Sequence, residues 1–169
     1  MHIILQTPRM VIREFSLDEE QVFLNHFTDE EVCLHLPKRT TDERITIFRN
    51  AVNNYSLTKK TGTWGMFNKV TGEFIGSCLL RPFDNDPLRI EVGYSMDKKY
   101  WGQGLGTEMA KAIVDYAFED ENVIEVVGCT TMENIASQRV LEKAGLKRVD
   151  NLLRDGEELA FFVKTRLQS

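Results

Sequence analysis

The chain has 169 residues, 42% of them apolar, enough for one domain with a real hydrophobic core, and no repeat, linker or low-complexity stretch interrupts it. A net charge of −5 with no basic stripe argues against nucleic acid as the main partner; it fits an ordinary acidic cytosolic protein, and only secondarily a preference for cationic small molecules or peptides. Cys33, Cys78 and Cys129 lie far apart without a C-x-x-C pair, His2, His26 and His35 form no metal-ligand pattern, and no apolar run reaches the length of a membrane span or a signal-peptide core. The expectation is a cytoplasmic protein with reduced thiols, no metal and no membrane association.

Taken in order, Ile3 to Phe15 reads as a first strand, broken in register at Pro8, with Met10 to Phe15 its stronger half. Ser16-Leu-Asp-Glu19 is a capping box, predicting a helix that carries Leu17, Phe23, Leu24 and Phe27 inward. A short helical turn near Glu31 to Leu36 stops at Pro37. A second capping box, Thr40-Thr-Asp-Glu43, opens an amphipathic helix with Ile45, Phe48, Val52 and Tyr55 on one face, running to about Leu57.

From Thr63 the period changes to that of strands. Trp64 to Asn68 and Phe74 to Phe83 are joined by a turn at Lys69-Val-Thr-Gly72, and Asn85-Asp-Pro87 leads into a strand from Leu88 to Met96. Leu105, Met109, Ile113 and Tyr116 mark a helix. Val123 to Cys129 is a β-branched run typical of a buried strand. Asn134 to Ala144 is a helix stopped by Gly145, and strands Lys147 to Arg154 and Glu157 to Thr165 close the chain around Asp155-Gly156. The order β-αα-βββ-α-β-α-ββ implies an α/β fold with a mixed sheet.

The segment between the third-helix start and the strand before it stands apart. Tyr100-Trp-Gly-Gln-Gly-Leu-Gly-Thr-Glu108 places three alternating glycines between a strand and a helix, so backbone N–H groups can converge on an anion at the positive end of the helix dipole. Neither the P-loop spacing nor the dinucleotide G-x-G-x-x-G is met: counted from Gly102 the last position is Thr107, and from Gly104 it is Met109. On spacing alone, a structural tight turn remains an equal reading.

The segment resembles the acetyl-CoA pyrophosphate loop of the GNAT superfamily, Arg/Gln-x-x-Gly-x-Gly/Ala, with Gly104 and Gly106 at the small positions and Trp101 at the first. That departure is shared by the RimJ/RimL-type N-acetyltransferase branch, whose loops look like Y-W-G-x-G-x-A/G-T-E. The opening LQTPRMVIREFSLDE is similar to the branch's entry, L-x-T-x-R-L-x-I/L-R. Asn134-Ile-Ala-Ser-Gln-Arg-Val-Leu-Glu-Lys-Ala-Gly145 is similar to its N-x-x-S-x-R/K-V/L-x-E-K-x-G helix.

The resemblance implies a single domain over residues 1–169, with a mostly antiparallel mixed sheet, a splay between the fourth and fifth strands and about four flanking helices. It also implies transfer of acetyl from acetyl-CoA to a primary amine, a protein N-terminus or a small amine, by direct attack. Tyr94, Ser95 and Met96 would pair with the pantetheine arm and offer an N–H to the thioester oxygen. Trp101, Gly102, Gln103, Gly104, Leu105, Gly106 and Thr107 would take the pyrophosphate, and Asn134 the pantetheine amide, a role compatible with a plain N-cap. Leu141 stands where many relatives carry a tyrosine acid, so Ser137 is the candidate proton donor to the thiolate or a cofactor contact only. Lys143, with Arg139, Lys98 and Lys99, either meets phosphate or is a solvated surface charge. A homodimer is compatible with the branch.

Glu91 lies inside a central strand, where a carboxylate must be paired, solvated or functional. It is the candidate general base through a water, set against pairing with Arg89 or another base on its face, with Asp97, Glu157 and Glu158 as alternatives. Lack of an obvious strong base favours α-amine acceptors, whose pKa of about 8 leaves more of the amine neutral than the ~10.4 of a lysine-like amine. Cys78 and Cys129 lack a histidine partner and are not expected to carry acyl groups. Trp64 and Phe83 wall the acceptor side or belong to the core. The alternative to an enzyme is an acyl-CoA-binding sensor of the same fold that has lost catalysis.

Overall fold

The computed structural model describes residues 1–58 and 60–167, and the ends of the expected 1–169 span, Gln168 and Ser169, lie outside the described residues, as does Lys59. Eight strands join in the hydrogen-bonded order β1-β2-β3-β4-β5-β6-β8-β7. The chain gathers into two compact units, Met1–Leu79 with Tyr94–Leu105, and Leu80–Gly93 with Gly106–Ser169, so β4 (Phe74–Phe83) and β5 (Asp86–Met96) give residues to both.

In the first unit, the expected single opening strand is two: β1 (Ile3–Gln6) and β2 (Met10–Arg13), antiparallel with Leu5 opposite Ile12. Pro8 does more than break the register. Its fixed φ suits the second position of a β-turn, and Thr7 closes that turn, its N–H donating to Met10 O at 2.9 Å and its hydroxyl accepting from Met10 N–H at 3.0 Å. Strand β2 then pairs antiparallel with β3 (Gly62–Asn68).

The Ser16/Glu19 capping box forms, but its first turn, Leu17–Glu19, is a 3₁₀ turn, and the α-helix proper, α1, is Glu20–His26. Arg13 of β2 holds Glu19 through two hydrogen bonds of 2.7 and 3.0 Å, and Leu17, expected inside, is 60% exposed. Asp29 caps the one-turn α2 (Glu30–Cys33), and Thr40 with Glu43 caps α3 (Thr41–Asn54). Phe48 of α3 is fully buried with Phe15, Phe23 and Phe67, ring centroids of neighbouring pairs lying 5.2–6.2 Å apart. Each such edge or tilted contact adds about 0.5–1.5 kcal/mol beyond area burial, which makes this aromatic cluster the anchor of the unit. Trp64 is core, 2% exposed.

Between β4 and β5 the turn is Asp84-Asn85, both with positive φ (51° and 59°), in place of the expected Asn85-Asp-Pro87; Pro87 sits near the start of β5. Two residues at φ > 0 make a two-residue hairpin, which Asn and Asp tolerate better than other non-glycines.

In the second unit, α4 (Leu105–Phe118) buries Met109, Ile113 and Val114. Strand β6 is Glu125–Thr131, two residues later than Val123 predicted, because Val123 is spent in the connection: its carbonyl accepts from Arg166 Nε at 2.8 Å. Strand β6 pairs parallel with β5 over Arg89–Glu91 opposite Glu125–Val127, and β5 runs on to Met96 past the last registered pair, as the expected splay requires. Helix α5 (Ile135–Lys143) follows, ended by Gly145 at φ +94°. The β7–β8 hairpin (Lys147–Arg154, Glu157–Thr165) turns at Asp155-Gly156 as predicted, and β8 pairs antiparallel with β6. Among the described residues there are five α-helices, one of them a single turn, beside the about four expected.

Candidate functional site

The glycine loop is built from the first unit. Gly102 and Gly104 have φ of +71° and +77°, the left-handed region in which a Cβ is strained, whereas Gly106 already lies in α4. The loop is exposed at Trp101 through Gly104 and then dives at Leu105, a buried side chain that pins the helix start. The first N–H groups of an α-helix have no acceptor within the helix, which is what favours an anion at a helix start such as that of α4.

Side chains hold the loop in this shape. Arg9, on the β1–β2 turn, donates from Nη1 to Gln103 O at 2.8 Å, Gln103 Nε2 reaches back to Lys99 O at 3.0 Å, and Trp101 Nε1 donates to Met96 O at 2.8 Å. Tyr100 OH donates to Glu73 at 3.0 Å. The arginine of the opening motif thus reaches the loop about ninety positions on, a contact that sequence reasoning missed although Arg9 stood inside a quoted motif. Lys98 pairs with Glu31 at 2.7 Å and Lys99 with Glu73 at 3.4 Å, so both are engaged on the surface.

The end of β5 carries the second group. Gly76 of β4 lets it approach: a Cβ there would meet Ser95 O at 2.2 Å and Met96 Cα at 2.8 Å. Ser95 Oγ lies 2.8 Å from His26 Nε2, and His26 Nδ1 is hydrogen-bonded to Asp97 Oδ1. His26 is 4% exposed. Burial pushes its pKa below the ordinary value, and the Asp97 carboxylate opposes but does not cancel this. An open depression of ≈ 670 Å³ is lined by Asn25, His26, Thr28, Asp29, Asp97 and two lysines, Lys98 and Lys99. Asp97 was considered as a base; nothing in the sequence tied it to His26.

In the second unit, Glu91 is 5% exposed and takes a hydrogen bond from Arg81 Nη2 at 2.7 Å and two from Arg154, at 2.8 and 3.2 Å. Burial alone would raise its pKa, but the two guanidinium groups win and hold the carboxyl below its ordinary value. Pairing is therefore what Glu91 does; of the two forms expected, Arg89 or another basic group, it is other groups, Arg81 and Arg154, that bind it, while Arg89 binds Glu125 at 2.6 Å. The pairing partners come from β4 and β7, positions that strand alternation within β5 cannot reveal. Arg154 also reaches Cys129 Sγ at 3.4 Å, and Phe83 stacks on Phe161 at 5.4 Å. Burial raises the Cys129 thiol and pushes Cys78 up to about 12, against a nucleophilic role for either.

On α5, Asn134 Oδ1 accepts from Ser137 N–H at 3.2 Å, so Asn134 is an N-cap. Ser137 is half-buried, Lys143 and Arg139 are exposed, and Leu141 is 3% exposed, packed over Gly128. Glu158 accepts from Asn151 at 2.8 Å, and Glu157 is exposed. Among the described residues, no group of three or more His, Cys, Asp or Glu could hold a metal ion, and no helix is long and apolar enough to cross a membrane.

The chain as a whole is similar to known proteins. The family model described as "Acetyltransferase (GNAT) domain" matches residues 9–147. N-acetyltransferase p20 of Bacillus licheniformis, itself uncharacterised, is 26% identical over 156 residues, covering 91% of this chain and 87% of its own. FsC-acetyl coenzyme A-N(2)-transacetylase of Aspergillus fumigatus is 36% identical over 120 residues, 66% of this chain and 49% of that protein. Among solved structures, the ribosomal-protein α-N-acetyltransferase RimL in complex with coenzyme A superposes with a TM-score of 0.81 over 97% of this chain and 98% of its own, at 12% identity, a likeness of fold.

Proposed function

The chain belongs to the GNAT acetyltransferase family, and from that premise we propose that it uses acetyl-CoA to acetylate a primary amine, by direct attack of the neutral amine on the thioester, in the manner of the RimJ/RimL-type branch. The observation that carries this reading is the glycine loop: two left-handed glycines, with Arg9 braced on Gln103, stand directly before the start of α4. That is a cradle for a pyrophosphate, and the donor set fits the group.

In this reading residues 1–169 act as one acetyltransferase domain. Trp101 to Thr107 hold the pyrophosphate, and the backbone of Tyr94 to Met96 pairs with the pantetheine arm and polarises the thioester. Asn134 keeps its capping role and turns its amide to the pantetheine, and Ser137 hydrogen-bonds the cosubstrate and returns a proton to the thiolate. Lys143 lies on the exposed side of α5 and meets phosphate only as a point charge. Glu91, already occupied by two arginines, is assigned to orienting them; an anion so stabilised is a weak base. The cysteines, unpaired among the described residues, support a reducing, cytoplasmic compartment.

A screen that follows CoA thiol release over N-terminal peptides, spermidine, amino acids and an aminoglycoside tests the reading. Release in step with amide formation for at least one amine is expected. One observation favours a second reading: Leu141, where many relatives carry the tyrosine acid, is core packing over Gly128. A protein that binds acetyl-CoA yet releases no CoA with any amine is the sensor.

A further inference from the structure

We propose that Ser95, His26 and Asp97 form the proton-accepting relay of acetyl transfer, with Ser95 Oγ receiving the proton that the attacking amine must lose and His26 accepting it in turn. This rests on the reading of Tyr94 to Met96 as the strand segment that presents the thioester.

The chain of hydrogen bonds has one self-consistent proton arrangement. The Asp97 carboxylate can only accept, so the His26 proton sits on Nδ1, and Nε2 is left as an acceptor for the Ser95 hydroxyl at 2.8 Å. That is the tautomer a base needs, and burial keeps the ring neutral near pH 7. The other charged groups bearing on the ring are Arg44, which opposes protonation, and Asp29, which favours it; Phe27 and Phe74 pack against it at 4.7 and 5.4 Å. Asp97 is partly exposed, its side chain 32% accessible, and the depression beside it gives the proton a route to water. Glu91, the rival base, is taken by Arg81 and Arg154.

The ammonium R–NH3⁺ gives one proton to Ser95 Oγ while Ser95 gives its hydroxyl proton to His26 Nε2, and the electron pair of the broken N–H bond stays on nitrogen to form the new C–N bond. The C–S bond breaks with its pair on sulfur, and a second proton from the same nitrogen ends on the thiolate. The imidazolium, held by Asp97, discharges its proton to water before the next turnover. Because the His26 pKa is depressed, the relay favours acceptors that lose a proton easily, an α-amine of pKa about 8 over a lysine-like amine of about 10.4.

Two measurements test this. Nitrogen-15 spectra of histidine-labelled protein, which has only His2, His26 and His35 to assign, should show His26 neutral near pH 7 with its proton on Nδ1 and a midpoint below the ordinary 6.5. An Nε2–H tautomer or a charged ring at that pH overturns the relay whatever the enzyme's activity. Second, for an amine that the wild type acetylates, His26→Gln and Ser95→Ala should lower kcat/KM about a hundredfold near pH 7, with the deficit closing as pH rises and the amine deprotonates unaided. Acetyl-CoA affinity, read from Trp101 fluorescence, should change less than about threefold, well under the tenfold that 1.4 kcal/mol represents. A loss that is uniform across pH, or no loss, overturns the proposal. Should His26→Gln fail to fold, Ser95→Ala and Asp97→Asn carry the test. A wild type that releases no CoA with any amine overturns the acetyltransferase reading and the relay with it, and an intact His26 tautomer then marks a buried tether.

Discussion

Glu91 and His26 are two buried ionisable groups in opposite charge states, and each leaves its mark on stability. Glu91 has a folded pKa below its ordinary 4.5, so its contribution is complete above about pH 4.5 and is lost as pH falls through the folded value. Glu91→Gln should cost about 1–3 kcal/mol near pH 7, less than a fully buried pair because Arg81 is half exposed. Urea unfolding should show that gap narrowing below pH 4.5. His26 also has a depressed folded pKa, so folding favours its neutral form: that contribution is complete above pH 6.5 and declines as pH falls below it, when the unfolded chain takes up a proton first. His26→Gln should flatten the pH dependence of stability between 6.5 and the folded midpoint; an unchanged slope there would show that the ring is already charged. A carboxylate inside a strand was legible as needing a partner, but Arg81 and Arg154 come from other strands and were not. His26 carried no local signal at all, since its partners lie about seventy positions away.

Elements whose signal is local were read well. Both capping boxes, the β4 boundaries, the Gly145 helix stop and the Asp155-Gly156 hairpin all depend on contacts within a few residues. Thr40→Ala should therefore cost about 1 kcal/mol in urea unfolding, the loss of one cap. The errors lie where a neighbouring element decides. The Thr7–Met10 turn converts one apparent strand into a hairpin, Arg13 takes Glu19 while Leu17 faces solvent, and β6 starts late because Val123 is held by Arg166. The glycine loop is an element with a split character: Gly102 and Gly104 are required by backbone conformation and Gly106 by none that the dihedrals show. Gly104→Ala should cost about 1–2 kcal/mol of strain and weaken acetyl-CoA binding, whereas the same change at Gly106 should leave stability nearly unchanged. Equal stability losses at the two positions would contradict the assignment.

At the scale of the whole molecule, three motifs separated by long stretches of chain were legible as one family because each is a run of neighbours. What they assemble was not. The Arg9–Gln103 contact joins the first motif to the second and explains why an arginine belongs on a surface turn. Arg9→Ala should lower acetyl-CoA affinity by loosening the loop, and because the bond is made without cosubstrate it should lower the melting temperature as well, as the loss of a hydrogen bond from a charged group, worth about 1.5–3 kcal/mol at most, implies. The parallel pairing of β5 with β6 is registered from Arg89 to Glu91, and acetyl-CoA is the partner proposed for the Tyr94–Met96 end of β5.

The most direct test of that claim is CoA thiol release measured beside acetyl-CoA binding, for the wild type and Gly104→Ala, across the amine panel. One CoA released per amide formed is expected of the wild type, and a Gly104→Ala defect should appear first as weaker acetyl-CoA binding. Tight binding with no CoA released for any amine would contradict the enzyme reading; wild-type binding that Gly104→Ala leaves untouched would contradict the cradle.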